Sequence, residues 1–216
     1  SEKESRKMNC ECTKLTHECK LVVLTGGPGA GKTAALEIAR RSLCEHIAVL
    51  PEAASIVFGG GFPRRSSLVA RKGAQEAILG VQRSLESIAI GEGLSVVALC
   101  DRGIVDGLAY WPVSEGEFWQ AARSSREAEF KKYTAVIHLR SPKLSQGYNH
   151  DNPVRTESDV EAQVIDEKLL AAWKGHPNHF VIESSESFIA KAARAVEIIQ
   201  AQLPECCRQH DWKMKP

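Results

Sequence analysis

Apolar residues gather along this chain in short, nearly unbroken runs separated by longer amphipathic stretches, and that alternation predicts the elements. Leu21 to Leu24, Ile47 to Leu50, Ser95 to Asp101, Thr134 to Leu139 and His179 to Ile182 are too short for buried helices and read as strands, covered on both faces where the run is fully apolar. Between them the period changes to three and four residues. Helices are predicted from Thr33 to Leu43, from about Ser67 to Ile90, from Glu115 to Lys132, from Glu157 to Trp173 and from Ser187 to Leu203. The last carries Ile189, Ala192, Val196, Ile199 and Leu203 at helical spacing. The long helix shows two stripes: Ile78, Val81, Leu85 and Ile88 as the expected core face, and Gln75, Gln82 and Glu86 as a polar border able to line a cleft. Phe58-Gly59-Gly60-Gly61-Phe62-Pro63-Arg64-Arg65 interrupts the pattern and is expected to be a mobile loop. Strands alternating with helices give an α/β fold, a three-layer αβα sandwich around a parallel sheet of about five strands.

The first strand runs into Gly26-Gly27-Pro28-Gly29-Ala30-Gly31-Lys32-Thr33 and then a helix. That combination is the phosphate-binding loop of a P-loop nucleotide-binding protein. Successive backbone N–H groups of the glycine-rich turn, together with the positive end of the helix, hold a phosphate. Lys32 reaches the β- and γ-phosphate oxygens as a point charge, and the Thr33 hydroxyl is placed to ligate Mg²⁺.

Bulk properties narrow the partners. With 216 residues, 43% hydrophobic and 25% charged, the chain is long enough for one sizeable core, so a P-loop domain over 20–203 is expected between a polar leader, 1–19, and a polar tail, 204–216. A net charge of +1 supplies no global field for nucleic acid. No apolar run approaches the roughly 20 residues that span a bilayer, and residues 1–20 lack the apolar middle of a secretion signal, so a cytoplasmic location is expected. Of the 7 cysteines, Cys44 and Cys100 fall in apolar segments where a thiol acts as a small hydrophobe. Cys10, Cys12, His17 and Cys19 form a local cluster in the polar leader, read either as a zinc site, though without a CxxC pair, or as incidental leader residues, and Cys206 and Cys207 follow the last helix with no assigned role.

Within the P-loop superfamily the chain lacks the Asn-Lys-x-Asp motif of Ras-like GTPases and the signature of transporter ATPases, and Asp101 is followed by Arg102 where motor-type ATPases carry Glu. An Asp-Arg pair after an apolar third strand looks like the nucleoside and nucleotide kinase branch. Four segments in order, GGPGAGKT, Pro51-Glu52-Ala53-Ala54, Cys100-Asp101-Arg102-Gly103 with Asp106, and Asn152-Pro153-Val154-Arg155-Thr156-Glu157, resemble one family more closely. It is the AAA-like P-loop ATPase family related to the nicotinamide riboside kinase domain of the bacterial NAD regulator and to the TRP-like channel translocation protein. The resemblance runs from about residue 20 to residue 203. It implies an NTP-binding αβα domain with a kinase-like acceptor cleft.

Roles follow from that implication and from the needs of phosphoryl transfer, which asks the protein for positioning and charge more than for covalent chemistry. Asp101 is the candidate for the Mg²⁺ shell, or else a cap on the helix beginning near Gly103. Arg102 faces phosphate or acceptor, or forms a surface ion pair. Glu52 stands where similar kinases place an acceptor-binding carboxylate or general base; the other reading is a carboxylate at a helix N-terminus. Gln82 either contacts the acceptor or is solvated. Residues from about 141 to 157 are expected to be a closing lid, with Arg155 as its arginine for phosphoryl charge and Arg140 second. His150 and Asp151 read as polar loop residues, and Trp111, Trp119 and Trp173 as packing.

Two classes of function remain open on the sequence. One is a Mg²⁺- and ATP-dependent phosphotransferase, GTP not excluded, acting on a nucleoside-, nucleotide- or cofactor-like small-molecule acceptor. The other is a slowly hydrolysing ATPase or nucleotide switch that reads a protein or phosphoinositide partner. Acceptor and oligomeric state are not determined at this level.

Overall fold

The structure, a computed structural model, describes residues 18–142, 159–184 and 187–208. Five strands form one parallel sheet: β1 (Lys20–Thr25), β2 (Ile47–Leu50), β3 (Val97–Asp101), β4 (Tyr133–Leu139) and β5 (His179–Ile182), in the order β2-β3-β1-β4-β5. The predicted apolar runs become strands because a sheet covered on both faces buries every position. Within β1, Val22 and Leu24 enter one core, while Leu21 and Val23 enter the other. The first core lies against α1 (Lys32–Ser42) and α8 (Phe188–Gln202), through Leu36, Ala39, Ala195, Val196 and Ile199. Facing the opposite side are α3 (Leu68–Glu92) and Trp173, just beyond α7 (Asp159–Ala172). Each fully buried Leu, Ile or Val contributes roughly 1.5–3 kcal/mol, so the central strands dominate the stability.

Three expectations change. The helix predicted from Glu115 to Lys132 is two, α5 (Glu115–Ala122) and α6 (Arg126–Lys132), because Arg123 adopts a left-handed conformation (φ 45°) and Ser125 caps a new start by accepting from the Ala128 N–H. A short helix, α2 (Ala53–Gly59), takes in Phe58 and Gly59 of the segment expected to be a loop, and a turn after Gly103 runs into α4 (Gly107–Tyr110). The third concerns α3, where Gln82 and Glu86 are buried while Ile88 is 55% exposed. Carboxylate burial there is compensated: Glu86 accepts from the Tyr133 hydroxyl at 2.7 Å and from Gln82 at 2.8 Å, and Lys132 pairs with it at 2.7 Å. On α8, Ile189 is exposed, while Ala192, Val196, Ile199 and Leu203 enter the core as predicted. Among the described residues, no helix is long and apolar enough to cross a membrane.

Candidate active site

The carboxyl ends of β1 and β3 lie side by side, with Leu24 in register with Asp101, and the phosphate loop leaves the first while Asp101 and Arg102 close the second. Gly26 has φ 135°, and a Cβ there would sit 2.0 Å from the Leu139 carbonyl oxygen, so the loop can leave the sheet only through glycine. Gly31 is left-handed at φ 98° and starts α1. Lys32 folds back over the loop, its Nζ donating to the carbonyls of Gly26 (3.0 Å) and Gly27 (3.3 Å). Burial, reinforced by the nearby Arg102 charge, lowers the Lys32 pKa to about 8 against the pull of Asp101, Glu52 and Asp106. Thr33 lies exposed in the first turn of α1.

Asp101 ends β3 with its Oδ1 buried and making no hydrogen bond among the described residues. Burial raises its pKa, opposed first by Lys32. Arg102 has φ 77°, a conformation costly for a side-chain-bearing residue, and is held there by its N–H donating to the Leu24 carbonyl at 3.0 Å. Its Nε donates to Glu52 Oε1 at 2.8 Å, its guanidinium lies 5.3 Å from the Tyr110 ring centroid, and its buried Nη1 makes no hydrogen bond among the described residues. Glu52 precedes α2 but makes no capping hydrogen bond; it accepts from Arg102 and from the Ser55 hydroxyl at 2.6 Å. Burial pushes the Glu52 pKa up, yet the Arg102 charge and these hydrogen bonds outweigh it, so the carboxyl titrates below its ordinary value. The capping carboxylate of this loop is Asp106: it accepts from the Gly103 N–H at 2.6 Å, from Trp173 Nε1 at 3.0 Å and from the Thr25 hydroxyl.

A cleft of about 840 Å³ runs from Pro28, Gly29 and Lys32 past Glu52 and Arg102 to Gln82 and Trp111. Its outer wall carries Phe58, Arg64, Arg65, Arg71 and Lys168, with the Arg64 guanidinium 4.3 Å from the Phe58 ring centroid. Gln82 donates to Glu86, whose partner Tyr133 accepts from the Ile104 N–H at 2.8 Å. A buried polar chain therefore links the cleft floor to the turn after Asp101 and Arg102.

The structure thus brings Lys32, Glu52, Gln82 and Arg102 to one cavity with loop residues Pro28 and Gly29, and it sets Asp101 beside the end of β1. Arg140 is differently engaged: its Nε lies 2.8 Å from Asp166 Oδ2, and it also pairs with Glu167. Arg155, the rest of the lid beyond residue 142, and the leader residues Cys10, Cys12 and His17 lie outside the described residues. Asp166 was missed. It accepts from the Gly27 N–H at 2.9 Å and meets His138 Nε2 at 2.9 Å, so α7 grips the phosphate loop directly. Its signal was present, since Ala162, Asp166, Leu169 and Trp173 share one stripe of α7 and all are buried.

Similarity to known proteins agrees with this arrangement. Thymidylate kinase from Candida albicans superposes with a TM-score of 0.61 at 12% identity, covering 85% of this chain and 92% of that chain. No curated protein sequence matches the chain. The family model described as AAA domain matches residues 21–191, from the first strand to the first turn of the helix behind the last one. The chain therefore belongs to this AAA-domain family of P-loop NTPases, with a nucleotide-kinase-like fold.

Proposed function

We propose that the chain is a Mg²⁺- and ATP-dependent phosphotransferase whose small-molecule acceptor is itself phosphorylated, a nucleotide or a cofactor of similar build. The observation that carries this reading is the cleft: it adjoins the phosphate loop, is large enough for a second substrate, and is lined by Arg64, Arg65, Arg71 and Lys168 together with Phe58, Tyr110 and Trp111. A simple NTP hydrolase needs room only for water.

In this reading the loop amides and Lys32 hold the β- and γ-phosphates, and Arg102 serves both donor and acceptor through a buried Nη1 that makes no hydrogen bond among the described residues. Glu52, kept ionised by Arg102, accepts a hydrogen bond from the acceptor hydroxyl and orients it. The hydroxyl oxygen attacks the γ-phosphorus, the bond to the β,γ-bridging oxygen breaks, and the hydroxyl proton leaves to phosphate or solvent. The donors at this end of the sheet fit a hard cation. Asp101 offers a buried carboxylate oxygen with no hydrogen bond among the described residues and Thr33 an accessible hydroxyl, both oxygen ligands of the kind Mg²⁺ takes. When bound there, Mg²⁺ neutralises charge on the β- and γ-phosphates. Arg155 remains the candidate lid arginine. The narrower relation to the nicotinamide riboside kinase domain and the translocation protein rests on the four sequence segments and belongs to this proposal.

The test is ADP and GDP release with Mg²⁺, alone and against nucleosides, nucleoside monophosphates, nicotinamide riboside and its phosphate. Turnover raised by a phosphorylated acceptor, with its product seen by mass spectrometry, supports the reading. Tight nucleotide binding with slow hydrolysis indifferent to every acceptor overturns it in favour of a nucleotide switch.

A further inference from the structure

At the edge of the sheet remote from the nucleotide loop, three soft donors meet. Cys44 and His46 lie in the turn between α1 and β2, and Cys207 lies on α9 (Glu205–Arg208). Their ligand atoms, two Sγ and an imidazole nitrogen, all lie within 4.8 Å of one another, and Cys207 Sγ is 3.9 Å from His46 Nδ1 although 161 positions separate the two residues. We infer that Cys44, His46 and Cys207 form a binding site for a zinc-class divalent cation, distinct from the Mg²⁺ site in both place and chemistry.

The donor set and its spacing carry the inference. Zn–S bonds of about 2.3 Å at tetrahedral angles put two sulfurs about 3.8 Å apart and a sulfur and a nitrogen about 3.5 Å apart. Separations within 4.8 Å need contraction by about 1.3 Å at most. Two thiols and an imidazole suit zinc, whereas the carboxylate and hydroxyl at the other end of the sheet suit magnesium. The thiols sit in apolar surroundings, Cys44 and Cys207 each being 2% exposed, while His46 is half-buried and leaves an approach from solvent. A hydrogen bond accounts for the Cys207 Sγ–His46 Nδ1 pair by itself; the Cys44 thiol, within 4.8 Å of both, makes the set three ligand atoms around one point.

The site is also held in place. The His46 carbonyl accepts the Val96 N–H at 2.8 Å, fixing that ligand's backbone to the start of the sheet. Arg208 donates to the carbonyls of Leu203 and Ala201, pinning α9 to the end of α8. Binding would release two thiol protons to solvent, form two Zn–S bonds and one Zn–N bond, and leave one tetrahedral position for water or another donor. β2 begins at Ile47, and the phosphate loop follows the carboxyl end of the parallel β1, so the ion would clip α9 to the sheet edge and take no part in transfer.

The experiment uses the full reduced chain. Metal content is measured after gel filtration, and Co²⁺ is added to the metal-stripped protein to look for thiolate-to-cobalt charge-transfer absorption. About one zinc per chain, lost to background in Cys207→Ser and in His46→Gln but kept in a Cys10→Ser/Cys12→Ser variant, is expected. His46→Gln tests the site without emptying a core position, and circular dichroism confirms that each variant is folded. Zinc should raise the melting temperature of the wild type and leave that of folded His46→Gln unmoved. Three results overturn the inference: no zinc and no charge-transfer band in the reduced wild type, metal that follows the leader cysteines, or a Cys44–Cys207 disulfide whose reduction yields thiols that bind no cobalt.

Discussion

Lys32 carries a charge that its surroundings oppose, with consequences for pH. Its pKa in the folded chain is about 8 against 10.5 for an ordinary lysine, burial being the main cause. Between those values the unfolded chain binds more protons, so this residue's contribution makes stability rise with pH across that window; below about 8 its penalty is complete and constant. A bound triphosphate favours the charged form, so binding above about pH 8 takes up a proton, and affinity should fall by up to about tenfold per pH unit there. Calorimetry in buffers of different ionisation heat measures this uptake, and proton-neutral binding throughout the window would contradict it. In the proposed reaction Glu52 belongs to the acceptor side. Glu52→Gln keeps a hydrogen-bond acceptor for Ser55 but loses the charge facing Arg102. ATP affinity should stay within about twofold while transfer falls about 10²-fold or more. Equal losses of binding and transfer would remove Glu52 from the acceptor site.

At the scale of elements, α7 and the phosphate loop are one mechanical unit. Asp166 of α7 is 2% exposed and joins the Gly27 N–H, His138 and Arg140. Asp166→Ala should cost about 3–5 kcal/mol in urea unfolding, because it strands partners of a buried charge, and Asp166→Asn should cost less, since the amide oxygen can still accept from Gly27. Burial raises the Asp166 pKa, but the hydrogen bond and charge of His138, the Gly27 N–H and Arg140 bring it below 3.8. Its stabilisation is therefore present above the unfolded value and lost as pH falls through the folded one, so the acid limb of Asp166→Asn should be flatter than that of the wild type. Removing strain should act the other way. Arg123 ends α5 at φ 45°, and glycine at that position should stabilise the chain by about 0.5–1 kcal/mol, read as a higher urea midpoint at unchanged slope.

For the whole molecule, nucleotide bound to the folded state alone should raise stability by about 2.7 kcal/mol at a hundredfold excess over Kd. The resulting shift in Tm should persist in Glu52→Gln and vanish in Lys32→Ala; a shift retained without Lys32 would mean that the ligand binds elsewhere. Much of this molecule was legible in its sequence. Parallel strands buried on both faces must be apolar throughout, a phosphate loop must have glycine where a Cβ would strike Leu139, and both demands leave local signatures that fixed the fold class and the position of the nucleotide site. Residues were harder to read where their environment is made by distant segments. Gln82 and Glu86 read as a polar border able to line a cleft, and only Lys132 and Tyr133, arriving from α6 and β4, make their burial tolerable. Asp166 looked like one acid among several on α7 until the fold set it against Gly27, and Arg140 looked available to phosphate until α7 supplied two carboxylates. Periodicity and loop chemistry are properties of neighbours in sequence, so the sequence by itself determined the layers, the phosphate loop and most of the cleft's chemistry. Partner choice among buried charges depends on segments that no local pattern links, and the meeting of Cys44 and His46 with Cys207 on chain closure over 161 positions, and those only the tertiary structure decided.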